Sequence, residues 1–261
     1  MIADRLTSAL RRYERATVAV SGGVDSMTLA FCAHAALGER VTMAHAVSPA
    51  VPRAATDRVN DYAARHGWRL RVVDAREFED ERYLENPSVR CFFCKSNLYG
   101  SLARLGDGVV MSGTNTDDLQ DWRPGLKAAA KFDVVHPFVD AGMSKAAIRA
   151  LARRYDLADI ADLPASPCLS SRVETGIRID PATLQFIEAV ETMVAGRLSP
   201  RTVRCRVRPE EVVVALDDDT LARLSESDVS RLLRDVAGVP PGAGDRTVRV
   251  GPYKRGDAFL R

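Results

Sequence analysis

The string Ser21-Gly22-Gly23-Val24-Asp25-Ser26 concentrates residue types suited to holding an anion. The β-branched run Thr17-Val18-Ala19-Val20 leads into it, and a helical pattern follows at once. A Gly- and Ser-rich joint between strand and helix leaves backbone N–H groups free at the helix start, where the dipole favours negative charge. Gly22 and Gly23 let the backbone approach a phosphate closely, while Ser21 and Ser26 add hydroxyl donors. Asp25 can hold a magnesium ion against that phosphate. An ordinary strand-to-helix turn, with Asp25 or Ser26 as a helix cap, would use the same residues differently. No Gly-Lys-Ser/Thr follows, so the lysine of a Walker-type loop is absent.

A second phosphate-side candidate is Ser112-Gly113-Thr114-Asn115-Thr116-Asp117-Asp118. Asp117 and Asp118 suit a hard cation such as magnesium, and Asn115 can hydrogen-bond a nucleotide. Helix capping by the same acids is the alternative. Arg123 and Lys127, in Asp121-Trp122-Arg123-Pro124-Gly125-Leu126-Lys127, offer two cations beside the same predicted sheet edge. Cys91-Phe92-Phe93-Cys94 puts two thiols three residues apart, compatible with metal binding, redox chemistry or simple burial. Cys168, in Ser166-Pro167-Cys168-Leu169-Ser170-Ser171-Arg172, is a possible third thiolate, and a nearby Arg172 would increase its thiolate fraction.

These residues need a scaffold, and the pattern supplies one. Strand signals at Thr17–Val20, Val41–Ala46, Leu70–Val73, Val109–Ser112 and Val134–His136 are interleaved with helical patterns that include Arg53–His66 and Cys94–Leu105; Ser144–Tyr155 follows the last strand. Such alternation predicts an α/β fold with a parallel sheet covered on both faces, and ligands bind beyond the carboxyl ends of its strands. The rhythm changes after Leu163-Pro164-Ala165-Ser166-Pro167. Beyond it come a helix from Pro181 to about Gly196, strands at Val203–Val207 and Val212–Leu216, helical segments over Thr220–Ala237 and a closing strand at Thr247–Val250. The expected organisation is an ATP-binding domain over 1–165 and a small α+β substrate or oligomerisation domain over 166–261.

Composition bounds the function. With 261 residues the chain can bury a sizeable core, and its net charge of +2 gives no ground for a nucleic-acid partner. Five cysteines argue against a disulfide framework. Cys32 falls in an apolar helical pattern and is expected in the core; Cys205 lies in a strand, either core or surface. No segment is apolar enough to span a bilayer, and the charges between Ile2, Leu6, Leu10 and Tyr13 are unlike a signal peptide. A cytoplasmic protein without a membrane partner is the expectation.

The Ser-Gly-Gly-x-Asp-Ser string after an apolar strand resembles the PP-loop of the ATP pyrophosphatase superfamily, whose fold is adenine nucleotide alpha hydrolase-like. Asn86-Pro87 through Cys91-Phe92-Phe93-Cys94-Lys95, Gly113-Thr114-Asn115 with its acids, Arg123-Pro124-Gly125 and Ser166 to Arg172 narrow this. Together they resemble the LarE-type ATP-dependent sulfur transferases, over most of the chain as far as Arg204-Cys205-Arg206; the tail Tyr253-Lys254-Arg255-Gly256 matches only loosely. The resemblance implies ATP and Mg2+ as cofactors and adenylation of a carboxylate of a pyridinium mononucleotide. Sulfur then displaces AMP to give a thiocarboxylate in nickel-pincer nucleotide biosynthesis.

By position, Cys168 matches the family's sulfur-donor cysteine; Asp25, in the loop, is the other expected catalytic residue. In one branch that cysteine is consumed; in another, three cysteines hold a 4Fe–4S cluster. Cys91, Cys94 and Cys168 favour the second reading, since three thiolates can hold a cubane and leave one iron open. Arg123, Arg172, Arg204 and Arg206 are the expected substrate-binding residues, though Arg204 and Arg206 equally suit a charged strand edge. A homo-oligomer is expected. An amide-forming ligase, a tRNA-thiolating enzyme and a non-catalytic nucleotide-binding regulator are the competing classes. A tRNA partner would demand a basic surface that the net charge does not suggest.

Overall fold

The computed structural model describes residues 2–120, 124–254 and 256. The chain divides into two compact units, one of Met1–Asp80 with Val89–Ser166 and the other of Glu81–Ser88 with Pro167–Arg261. The second boundary falls beside the expected one. The short stretch 81–88, expected in the first domain, packs with the second.

In the first unit, β1 (Ala16–Ala19), β2 (Val41–Ala46), β3 (Leu70–Val73) and β4 (Val109–Met111) form a parallel sheet in the order β3-β2-β1-β4. Register pairs Ala16 with Val41 on one side and with Val109 on the other. The twofold period of a strand sorts the side chains. Ala16, Val18, Val41, Met43 and Met111 enter one buried cluster, whereas Ala44 and Val110 enter the cluster on the opposite face. Helices α1 (Ile2–Arg11), α2 (Val24–Leu37) and α3 (Arg53–His66) contribute to the first cluster. α4 (Arg90–Ala103) and α5 (Pro124–Lys131) cover the other face through Tyr99, Leu102, Ala128 and Ala129. Cys32 is buried in α2 as expected. Each fully buried large aliphatic side chain contributes about 1.5–3 kcal/mol, so both faces are needed to hold the sheet.

The fifth expected strand, Val134–His136, is reduced to a single bridge between Met111 and Val135. Asp133 has a positive φ of 51°, and a helical turn starts at Pro137, so no run of extended residues fits between them. After this turn comes α6 (Lys145–Arg154), capped by the Ser144 hydroxyl accepting from the Ala147 amide.

The second unit pairs β5 (Val203–Val207) antiparallel to β6 (Glu211–Leu216), which runs parallel to β7 (Thr247–Pro252). α7 (Pro181–Leu198) packs on β5, and α8 (Glu226–Ala237) packs on β7. Asp180 caps α7 through the Thr183 amide, with Pro181 in the first turn, as the sequence predicts. The segment 81–88 is fastened here by Asn86, whose side-chain amide donates to the carbonyls of Glu174 (2.8 Å) and Ile177 (2.9 Å). Tyr83 shares a 2.7 Å hydrogen bond with Ser170. Among the described residues no helix is long and apolar enough to cross a membrane.

Candidate active site

The phosphate loop bridges β1 and α2. Gly23 is the N-cap of α2 and supplies no side chain, so neither Asp25 nor Ser26 is spent as the cap. Ser26 instead ties the loop across its own base. Its hydroxyl donates to the Gly23 carbonyl (3.1 Å) and accepts from the Ser21 amide (3.0 Å), with the Ser21 hydroxyl at 3.1 Å. The first amides of a helix have no intrahelical partner, and here they open onto the loop. Gly22 has φ +76°, and a Cβ there would lie 2.7 Å from the Ala55 carbonyl oxygen. Only glycine fits that combination.

Neighbouring elements buttress the loop. Arg58 on α3 donates to the Gly22 carbonyl at 2.8 Å, which fixes the outward face of the turn. His45 in β2 is buried between the Val20 carbonyl (2.9 Å from Nδ1) and the Thr56 hydroxyl (3.0 Å from Nε2). A carbonyl only accepts, so Nδ1 carries the proton in this network. Burial holds the His45 pKa below its ordinary value.

Gly113 lies against the start of α2. A Cβ there would sit 2.8 Å from the Ser26 nitrogen and 2.9 Å from the Asp25 carbonyl carbon. The strand ends β1 and β4 thus meet at the anion site, as an open parallel sheet requires. Beyond Gly113 the expected nucleotide and metal ligands hold their own turn. The side-chain Oδ1 of the buried Asn115 accepts from the Asp117 backbone N–H at 3.0 Å, and the Asp118 carboxylate accepts from the Asn115 backbone N–H at 3.1 Å. Asp117 accepts from the Lys145 amide at 2.9 Å.

Asp25 is the electrostatic centre. One carboxylate oxygen accepts from the Lys145 ammonium, and the other, Oδ1, is buried with no hydrogen-bond partner among the described residues. Burial raises the Asp25 pKa first, opposed by Lys145 and reinforced by the negative charge of Asp118. A buried carboxylate oxygen without a donor fits a hard cation, and magnesium takes one or two protein carboxylates plus phosphate oxygens. Asp25 is therefore the residue that would hold Mg2+. Sequence reasoning misses Lys145. Its one signal is a cation at the first position of α6, where the dipole disfavours positive charge and a counter-acid is needed.

Cys91 and Cys94 are half-buried on the first turn of α4, which starts earlier than the pattern predicts. Arg123 lies outside the described residues; Gly125, two residues on, abuts α4, where a Cβ would meet the Lys95 side chain at 3.1 Å. In the second unit Cys168 is a half-buried free thiol. Arg172 is almost fully buried. It makes a two-point pair with Glu191 (2.9 and 2.8 Å) and donates to the carbonyls of Pro167 (2.6 Å) and Cys168 (3.1 Å). It clamps the backbone that carries Cys168, a different use from the substrate contact expected of it. Glu191 also accepts from the Cys205 amide at 2.9 Å, linking the clamp to β5. Cys205 is wholly buried, resolving the choice left by sequence in favour of core.

Arg204 and Arg206 stand two residues apart on β5, both near the Tyr253 ring at 5.9 and 5.8 Å. Arg206 is buried and donates to the Lys254 carbonyl, and Arg204 is half-buried. Burial and the charge of Arg172 lower the Arg204 pKa. Among the described residues no three His, Cys, Asp or Glu side chains group as a metal-ion site. Of the three cysteines expected to hold a 4Fe–4S cluster, Cys91 and Cys94 belong to the first unit and Cys168 to the second.

A scan against protein-family models finds no match. Among individual proteins, the chain is 32% identical over 239 residues to an uncharacterized protein of Synechocystis sp., covering 86% of this chain and 88% of that one. It is also 29% identical over 206 residues to pyridinium-3,5-bisthiocarboxylic acid mononucleotide synthase of Lactiplantibacillus plantarum, covering 77% of this chain and 74% of the relative. The chain belongs to the LarE-type PP-loop family. A further relative of this LarE-type protein is one component of the glutamine-hydrolyzing GMP synthase of Thermoplasma acidophilum, 26% identical over 76% of this chain and 67% of that one. The parallel sheet, with its loop between β1 and α2, is the PP-loop architecture, and the small mixed sheet is the appended unit. Membership makes the chain an ATP-using enzyme.

Proposed function

We propose that this LarE-type protein adenylates a carboxylate of a pyridinium mononucleotide and replaces the activated oxygen with sulfur, yielding a thiocarboxylate for nickel-pincer nucleotide synthesis. The observation that carries this reading is the 29% identity to pyridinium-3,5-bisthiocarboxylic acid mononucleotide synthase over most of both chains. The open α2 terminus, the buried Asp25 oxygen and the free Cys168 thiol are consistent with it.

In this mechanism the substrate carboxylate attacks the α-phosphorus of ATP, and the bond to pyrophosphate breaks. The amides at the start of α2, with the Ser21 hydroxyl, receive the charge of the departing pyrophosphate. Mg2+ bound at Asp25 supplies charge neutralisation of the phosphates. The acyl-adenylate carries AMP as leaving group. The Cys168 thiolate attacks the acyl carbon, the C–O bond to AMP breaks, and a thioester to Cys168 forms. Loss of the Cys168 α-proton then breaks the Cβ–S bond, leaving dehydroalanine in the protein and sulfur on the product. Arg172 holds the Cys168 carbonyl during these steps, and Arg204 and Arg206 suit the substrate phosphate.

Purified protein, ATP, Mg2+ and a pyridinium carboxylate mononucleotide test the reading. Substrate-dependent pyrophosphate release, a thiocarboxylate product and loss of hydrogen sulfide from Cys168 by mass spectrometry are expected. Cys168→Ala should keep pyrophosphate release and lose sulfur delivery, whereas Asp25→Asn should lose adenylation first. Sulfur delivery by Cys168→Ala would overturn the donor role. Pyrophosphate release with no carboxylate substrate at all would point to a different ATP-using activity.

A further inference from the structure

The Cys168 carbonyl oxygen receives two donors. The Ser171 amide reaches it at 3.0 Å across the turn Leu169–Arg172, and Nη1 of Arg172 reaches it at 3.1 Å. The first bond is what such a turn makes by itself, and it already satisfies the carbonyl. The second comes from a charged side chain only 2% exposed. Replacing a buried ion pair with apolar residues of similar volume is often neutral or stabilising. Stability therefore does not explain why a guanidinium stands here.

Glu191 on α7 aims that guanidinium. Its carboxylate takes Nε at 2.9 Å and Nη2 at 2.8 Å, and is itself fixed by the Cys205 amide at 2.9 Å. The pair leaves Nη1 for the backbone around Cys168: the Pro167 carbonyl at 2.6 Å, the Cys168 carbonyl at 3.1 Å and the Ser171 hydroxyl at 3.1 Å. A guanidinium stays protonated at any working pH, so this donor does not switch off. The Cys168 side chain meanwhile remains a free, half-buried thiol.

Release of sulfur from Cys168 requires loss of its α-proton. An α-carbon beside an amide carbonyl is a weak acid, because its electron pair must be shared with that oxygen as an enolate. Donors preset about 2.7–3.1 Å from an oxygen that gains negative charge form an oxyanion hole. Here the oxygen that gains the charge belongs to the protein's own backbone.

We propose that Arg172 and the Ser171 amide form an oxyanion hole for the Cys168 enolate, which makes Arg172 a catalytic residue of sulfur release. Hydroxide from solvent takes the Cα proton to form water, and charge develops on the Cys168 oxygen beneath the two donors. The electron pair then forms the Cα=Cβ bond, and the Cβ–S bond breaks with its own pair leaving on the thiocarboxylate. This deepens the proposed function and rests on its dehydroalanine-forming step.

The test needs neither ATP nor nucleotide. Cys168 is arylated with fluorodinitrobenzene, and loss of dinitrothiophenolate in mild alkali is followed by its colour. Tandem mass spectrometry locates the dehydroalanine formed in place of Cys168. Folded protein should eliminate there about a hundredfold faster than the same protein in urea at the same pH, the size of effect one such donor gives. Burial alone predicts the reverse, since it keeps hydroxide away. Arg172→Met combined with Glu191→Leu, which strands no buried charge, should lose most of the acceleration while circular dichroism shows a folded protein. Arg172→Lys should keep part of it through its charge. Folded wild type no faster than unfolded, or a folded double variant as fast as wild type, overturns the proposal and leaves Arg172 a backbone clamp. With ATP, Mg2+ and the pyridinium carboxylate mononucleotide, the double variant should release pyrophosphate and accumulate the thioester on Cys168. Rapid elimination from arylated wild type that shows no substrate-dependent pyrophosphate release would support the oxyanion hole and defeat the adenylation reading instead.

Discussion

At the scale of single residues, the site is set by a few contacts that tolerate no added atom. Gly113→Ala would drive a methyl group to within 2.8 Å of the Ser26 nitrogen, backbone that cannot yield without tilting α2. A loss of about 1–3 kcal/mol in chemical denaturation, with a marked fall in ATP affinity, is the expected outcome. The Arg172–Glu191 pair is buried at the guanidinium and nearly so at the carboxylate, 2% and 13% exposed. Glu191→Gln leaves the guanidinium without a counter-charge, which should cost about 3–5 kcal/mol by denaturation. The loop itself is legible in the sequence at this scale, because its residues are consecutive. Lys145 is not, because its partner Asp25 is distant in the chain. Arg172 stands out within its motif, but a one-dimensional reading cannot see that Glu191 on α7 takes its donors.

At the scale of elements, β6 is fastened to its neighbours by charge as well as by the ladder. Glu211 accepts from Arg249 on β7 and from Arg208 beyond the end of β5, at 2.7 Å for the latter. The hydrogen bond from Arg249, then that from Arg208, pushes its pKa from 4.5 down to about 2. A carboxylate lowered on folding stabilises the fold above its unfolded value and loses that contribution as pH falls through the folded one. Glu211→Gln should therefore be less stable than wild type at neutral pH. Urea denaturation curves should show the difference shrinking between pH 4.5 and about 2. Elements with strong periodicity have the bounds expected of them: Val41–Ala46, Arg53–His66 and Val203–Val207 are observed as read. The helical segments read over Thr220–Ala237 are a turn of helix at Asp218–Leu221 and α8, separated where Ser225 and Asp228 form a capping box. Val134–His136 fails as a strand for a tertiary reason, being hemmed in by a positive φ and a proline-led turn.

At the scale of the whole molecule, the chain leaves the first unit at Glu81, returns at Val89 and leaves again at Pro167. Local patterning cannot reveal this excursion, since Glu81–Ser88 is flanked on both sides by segments of the ATP-binding unit. Tyr83, Leu84 and Asn86 are buried, and Asn86 is held by carbonyls of residues 174 and 177. A fragment ending at Ser166 should therefore expose an apolar stretch, bind a hydrophobic dye and melt without cooperativity. Replacing 81–88 in that fragment with a Gly-Ser linker should restore a cooperative thermal transition, as followed by circular dichroism.

That excursion also constrains descent. A gene acquiring only the segment downstream of Ser166 would receive Cys168 and Ser170 without Tyr83, the hydrogen-bond partner of Ser170. The second unit is not one contiguous stretch of the chain, so a transfer of residues 167–261 alone would leave it without Glu81–Ser88.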